Sequence, residues 1–277
     1  MVKQGFKGFI CILCAVLIAA SFGGCSIGAY SVEELKTYYS AAFENSFDAE
    51  LYYWKETINA ADYTAWRTCN VYTEIDKKYE PVMDENGQFA NMKIDVYDEY
   101  NKKGVYKALC GKSQSSAGAE DKNYLFENGY DESGNASDYR KVKMTPQEYV
   151  RSDDFVKNYA LSAKLSELAG MTVDDMIFDI DSSLMEHKGK VVKFSFAVRP
   201  EYIEKYKAQT GNDSIFAGSK YATMEFAYDR FASIVIYSEE QLGGNISADK
   251  EVYKLEAVYF GPIVNIPSYD SEPWVNC

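Results

Sequence analysis

The spacing of hydrophobic positions changes repeatedly along this chain, and each change predicts an element. Leu35, Tyr38, Tyr39, Ala42 and Phe43 recur at i, i+3, i+4, i+7 and i+8, the spacing of one apolar helix face. Ser31 and Glu34 open that segment as a capping box, each side chain covering a backbone N–H of the other. From Ala49 to about residue 142 the pattern turns to strands. The runs 49–58, 63–75, 92–100, 105–110 and 123–128 are rich in Tyr, Val, Ile and Thr. Asp84-Glu85-Asn86-Gly87, Asn101-Lys102-Lys103-Gly104 and Ser133-Gly134-Asn135 break the runs as hairpin turns. Successive antiparallel strands are the economical arrangement.

Helical spacing returns at Thr145, with Pro146 at the first helical position and Glu148 behind it. Phe155, Val156, Tyr159, Ala160 and Ala163 share one side, and Leu161, Leu165 and Leu168 widen the stripe until Gly170 stops it. A stripe this broad needs a cover. Thr172 and Asp175 open a further short helix. Val192, Phe194, Phe196 and Val198 then alternate with polar or small residues, and Pro200 starts a helix carrying Tyr202, Ile203 and Tyr206 that Gly211 ends. Ala222, Met224, Phe226 and Tyr228 alternate again, and the runs 233–237 and 252–260 follow. Period-two alternation buries one face of a sheet and solvates the other. The prediction is α+β: a large antiparallel sheet with helices on its apolar face.

The first residues carry a different signal. Lys3 and Lys7 precede an apolar run from Gly8 to Ala20, and small residues follow as far as Gly24. This is the layout of an export leader, and it is short for a membrane span, which needs about 20 apolar residues. Phe22-Gly23-Gly24-Cys25 resembles the lipobox of bacterial prolipoproteins. That resemblance implies a diacylglyceryl group on the Cys25 thiol and cleavage before it, so that residues 1–24 are a signal peptide. Cys11 and Cys14 do not compete, because bulky Ile10 and Leu13 precede them. The plainer alternative is an ordinary secretory peptide cut after Gly24 or Ser26. Two acyl chains anchor stably where one comes and goes, at about 0.8 kcal/mol per buried methylene. Residues 25–31 form the lipidated cysteine and a short tether of at most roughly 20 Å. Residues 32–277 are read as one domain, held to the outer face of the cell membrane.

Order of elements carries a second resemblance. Lipobox, short tether, capped helix, strands, helical insertion, Pro-started helix and closing hairpins resemble the lipoproteins of the LolA, LolB and LppX/LprG kind. That likeness implies a strongly curved sheet forming a half-barrel, with helices on its concave apolar face around a hydrophobic cavity.

Charge narrows the partners. Lys3 and Lys7 leave with the leader and no acid does, which moves the formal charge from −13 to −15. Nucleic acid needs clustered Lys and Arg, so it is excluded as a partner, and anionic headgroups would repel the chain. Beyond Cys25 the thiols are Cys69, Cys110 and Cys277. Cys69 and Cys110 lie in strand-like runs and either pair as a disulfide in an oxidising compartment or stay as buried thiols.

Catalytic chemistry finds little support. His187 is the only histidine, which rules out any triad or metal cluster needing two; its setting before a turn reads as an exposed loop. Acidic turns such as 84–87 and 131–135 have glycine at the fourth position, where a calcium loop of the EF-hand kind needs it at the sixth. Asp179 and Asp181 could serve as paired carboxylates, but 42 acids make chance proximity the simpler account. No catalytic residue, metal or cofactor is therefore assigned.

Aromatic load is what remains, with 24 tyrosines and 3 tryptophans. Rings on a concave face could hold acyl chains or stack on sugars, and tyrosine is equally a good strand former. The expectation is a tethered, non-enzymatic lipoprotein binding a hydrophobic small molecule or lipid between sheet and helices. Tyr38, Tyr39, Trp54, Phe155, Tyr159, Leu165, Phe194 and Phe226 are the candidate lining residues. The rivals are a solidly packed interaction module for an envelope protein, and a carbohydrate-binding surface of exposed Tyr and Trp.

Overall fold

The computed structural model describes residues 31–60, 63–73, 76–78, 80–87, 89, 92–100, 103–110, 124–130, 136–178, 185–188, 190–243, 246–259 and 275–276. Helix α1 spans Val32–Phe47. Its N-terminus carries the expected reciprocal cap: Glu34 N–H donates to Ser31 Oγ at 3.2 Å and Ser31 N–H donates to Glu34 Oε2 at 2.8 Å. Strands β1 (Tyr52–Asn59), β2 (Thr64–Tyr72), β3 (Lys93–Tyr100), β4 (Lys103–Cys110), β5 (Tyr124–Tyr130) and β6 (Ala136–Lys143) form an antiparallel meander. Four short helices follow: α2 (Pro146–Tyr149), α3 (Asp153–Asn158), α4 (Leu161–Lys164) and α5 (Ser166–Gly170). After a 3₁₀ turn at Val173–Asp175 come β7 (Met176–Ile177), β8 (Met185–Lys188), β9 (Val191–Val198), α6 (Pro200–Thr210), β10 (Tyr221–Ala227), β11 (Arg230–Gly243), β12 (Ile246–Tyr259) and β13 (Val275–Asn276).

The two meanders join where β12 pairs β1, Trp54 lying opposite Ala257. One sheet results, in the order β13-β6-β5-β4-β3-β2-β1-β12-β11-β10-β9-β7, with β8 also pairing β9. It is antiparallel apart from the short parallel pairing of β13 with β6. The path has two ends and does not close, so the architecture is an α+β half-barrel with its helices on the apolar face.

Register explains why one face is greasy. Phe194, Met224, Ile234 and Leu255 follow one another across β9, β10, β11 and β12 in a single row, and all four are fully buried. The next row, Ser195, Thr223, Val235 and Lys254, faces the other way. Leu35, Tyr38, Tyr39, Ala42 and Phe43 of α1 lie in the same core cluster as the inner row, which is the face that their spacing predicted.

The helical insertion departs from the single stripe expected. Tyr149, Phe155, Tyr159, Leu161, Leu165 and Leu168 are all buried, more than one straight helix can turn toward one side when its apolar stripe spans ~100°. Breaks re-aim each piece. Ser152 starts α3 afresh by accepting from Phe155 N–H at 3.2 Å, and Ala160 is extended at φ −60°, ψ 139°. Val156, placed on the stripe by its spacing, is 49% exposed.

One open alternative is decided and one expectation is corrected. Cys69 lies opposite Val96, and Cys110 opposite Lys93 on the far side of β3. Two strand spacings put them about 10 Å apart at least, beyond the roughly 7 Å limit of a disulfide; Cys69 is a buried thiol. His187 is not in a loop but in β8, opposite Val192; a four-residue strand is too short to show its period in sequence. The leader, Cys25, Asp179, Asp181, the 131–135 turn and Cys277 lie outside the described residues.

Candidate ligand groove

The eight candidate lining residues come together, but all except Phe155 as core rather than as cavity wall. Tyr38, Tyr39, Trp54, Phe155, Tyr159, Leu165, Phe194 and Phe226 are all buried and belong to one cluster. The Phe226 ring lies 5.6 Å from Tyr38, 5.7 Å from Tyr39, 5.6 Å from Phe43 and 5.9 Å from Phe194, centroid to centroid. Rings at such separations are in contact, so this middle part of the sheet–helix space is full.

Their polar tips serve the helix breaks. Each break leaves carbonyls without an intrahelical partner. Trp54 Nε1–H donates to Tyr159 O at 2.8 Å, at the end of α3. Tyr39 O–H donates to Leu168 O at 2.7 Å and Tyr202 O–H to Glu167 O at 3.2 Å, both in α5. Burial pushes the Tyr39 and Tyr202 hydroxyls well above their ordinary value, so they remain donors at any physiological pH.

Charged groups inside the core are likewise spoken for. Glu56, 7% exposed, accepts from Lys164 Nζ at 3.1 Å and from Tyr253 O–H at 3.1 Å, with Arg67 at 3.7 Å. Lys164 also lies 4.9 Å over the Trp54 ring. This cluster pins α4 to β1 and β12. Glu167 accepts from Ser214 O–H and from Ile215 N–H, and burial holds its carboxyl above the usual range. These are fastening groups with their acceptors occupied.

Open space between sheet and helices lies at one end instead. A groove of about 560 Å³ runs between α1, the starts of β1 and β3, the end of β2 and the helices α2 to α4. Phe47, Tyr52, Val71, Met83, Phe155 and Leu161 are among its walls, with Arg151 and Glu50 at its polar margin. Phe155 is the one expected lining residue that borders it. Phe47, Met83 and Val156 leave 40%, 53% and 49% of their surfaces exposed here, an uncovered apolar patch rimmed by polar groups.

Local sequence builds this mouth. Asp84 accepts from Asn86 N–H through its carboxylate at 2.8 Å and from Gly87 N–H through its carbonyl at 3.0 Å. Gly87 takes φ 72°, and the turn brings Met83 opposite Phe89. The acidic turn that invited a calcium reading thus spends its first carboxylate on its own backbone. Sequence reasoning missed Phe47, Met83, Phe89 and Met92. Phe47 was detectable, standing four residues after Phe43 on a helix whose apolar face was already assigned.

The groove opens at the far end of α1 from Ser31. Sixteen helical residues separate the two by about 24 Å at 1.5 Å per residue. Among the described residues no helix is long and apolar enough to cross a membrane. Fold and groove together define an open α+β half-barrel with an end groove of mixed apolar and polar walls. No family profile matches the chain, and no curated protein matches it either.

Proposed function

We propose that this protein is a membrane-tethered, extracytoplasmic lipoprotein without enzymatic activity, anchored through a lipid on Cys25, whose end groove binds the apolar chain of a hydrophobic small molecule or lipid. The observation that carries the ligand reading is the coincidence of an open volume of about 560 Å³ with large apolar side chains left uncovered around it. That volume falls within the roughly 300–1,000 Å³ of small-molecule sites. The anchor rests on the Phe22-Gly23-Gly24-Cys25 motif. With the tether at the Ser31 end of α1, the groove lies at the opposite end of that helix, a position suited to presenting or receiving a ligand beyond the bilayer surface.

Two readouts test this together. Metabolic labelling with a palmitate analogue is expected to mark the wild type and not Cys25→Ser. Titration of Cys25→Ser protein with the fluorescent fatty acid cis-parinarate is expected to saturate, and Val156→Glu, at the groove mouth, to weaken binding tenfold or more. Absence of label in both proteins sinks the anchor; parinarate binding indifferent to Val156→Glu sinks the groove.

A further inference from the structure

A second, larger groove lies on the opposite face of the sheet over β9, β10 and β11, and no described helix contributes to its walls. Its volume is about 920 Å³. Register accounts for its shape. Tyr221 and Tyr237 face each other across β10 and β11 with rings stacked at 4.7 Å and 20°. Ala197 follows Phe196, the partner of Ala222, and so sits beside Tyr221; Ile177 pairs with Ala197 from β7. A single methyl group thus stands between an aromatic wall and an aliphatic one, two strand spacings or about 10 Å apart. Small residues make a slot there.

The chemistry of the slot selects its occupant. Ser195 Oγ and Thr223 Oγ1 lie 2.9 Å apart on its floor. At the rim Asp249 accepts from Lys220 Nζ at 2.8 Å and from Tyr221 O–H at 3.2 Å, which fixes a carboxylate beside the ring. An apolar chain would cover these hydroxyls and charges without replacing their hydrogen bonds with water, each loss costing about 1–3 kcal/mol. Anions meet Glu225 and Asp249, and cations meet Lys193 and Lys220. A neutral ligand with hydroxyls around its edge and C–H groups on its flat face matches the ring and the hydroxyl pair at once.

We propose that the outer face of β9–β11 is a saccharide-binding site in which a sugar ring lies against Tyr221 above Ala197, with its hydroxyls bonded to Ser195 and Thr223. The site is independent of the end groove and of the anchor.

Calorimetric titration of Cys25→Ser protein with three probes, N,N′,N″-triacetylchitotriose, cellotriose and maltotriose, tests it. At least one trisaccharide is expected to bind with a submillimolar Kd. Tyr221→Ala removes the wall and Ala197→Leu fills the slot while keeping both rings, and each is expected to weaken that binding tenfold or more. Val156→Glu, in the other groove, is expected to leave it unchanged. Circular dichroism melts matching the unsubstituted protein identify the variants as folded. Failure of all three trisaccharides to bind at millimolar concentration overturns the proposal, as does binding that Ala197→Leu retains in full.

Discussion

The inner and outer faces of β9–β11 come from the same strands, one residue out of step, and they differ in almost every physical respect. Inward, Phe194, Phe196, Met224, Phe226, Ile234 and Ile236 are all 0–2% exposed and packed ring on ring. Outward, Lys193, Ser195, Ala197, Thr223, Glu225 and Ser233 line a groove of about 920 Å³. The lesson is that a row rich in aromatics can be filled by its own side chains, while a row of small and polar residues leaves room. Aromatic abundance alone marked the core, and the open volumes lie where large rings yield to small residues or to an uncovered helix end.

Substitutions can break or sharpen that contrast. The largest effect is expected for Phe226→Ala, since its ring touches Tyr38, Tyr39, Phe43 and Phe194. Loss of such a buried ring costs about 3–5 kcal/mol, which urea unfolding measures. A cost under about 1 kcal/mol would show that the inner face is loosely packed. Next comes Lys164→Met, which leaves Glu56 with Tyr253 and the longer 3.7 Å contact from Arg67. Breaking one arm of a mostly buried ion cluster is expected to cost about 2 kcal/mol, below the full 3–5 of an isolated pair because Arg67 remains.

A smaller effect reads the pH axis. Burial raises the Glu167 carboxyl above its ordinary 4.5. Because the folded value exceeds the unfolded one, protonation favours folding: this contribution is complete below the ordinary carboxyl range and is lost as pH rises through the raised value. Glu167→Gln is expected to flatten the stability profile from the ordinary carboxyl range upward, read by denaturant midpoints from acid to neutral pH. An unchanged slope would mean that Glu167 is not the group responsible. Smallest of all is Lys193→Ala on the outer face, expected to move stability by no more than about 0.5 kcal/mol. A larger cost would mean that the outer row also holds the fold together.

Periodicity made the elements that face the core legible. The α1 stripe, the β10 alternation as far as Phe226 and the Pro200–Gly211 helix appear where their spacing placed them, whereas Tyr228, expected on the inner row, is 70% exposed in the turn after β10. Those patterns survive because burial on one face repeats at a fixed interval. What spacing could not show was the interruption of the insertion at Ser152 and Ala160, since a broken helix and a straight one share the same composition of apolar residues. Pairing partners were equally hidden: the junction of β1 with β12 joins residues about two hundred positions apart, and with it went the true neighbours of Cys69 and Cys110. The eight lining candidates were recognised as inward-facing, which they are. Whether inward meant cavity or core depended on how rings from α1, β9 and β10 meet, and that is a property of three-dimensional packing.

The end groove escaped for a related reason. Met83 and Phe89 reach it only because the Asp84–Gly87 turn sets them opposite each other, and Tyr52 and Val71 because β1 and β2 pair in register. No local period joins these residues. Exposed Phe47 is the exception, an apolar residue one turn beyond Phe43 on an amphipathic helix, with 40% of its surface exposed.

Native mass spectrometry of Cys25→Ser protein, purified from cells without detergent, addresses most directly whether the end groove carries an apolar ligand. The account predicts a population heavier than the bare polypeptide by one extractable apolar molecule, depleted by Val156→Glu and preserved in Lys193→Ala. Repeated preparations showing only the bare polypeptide mass would contradict it.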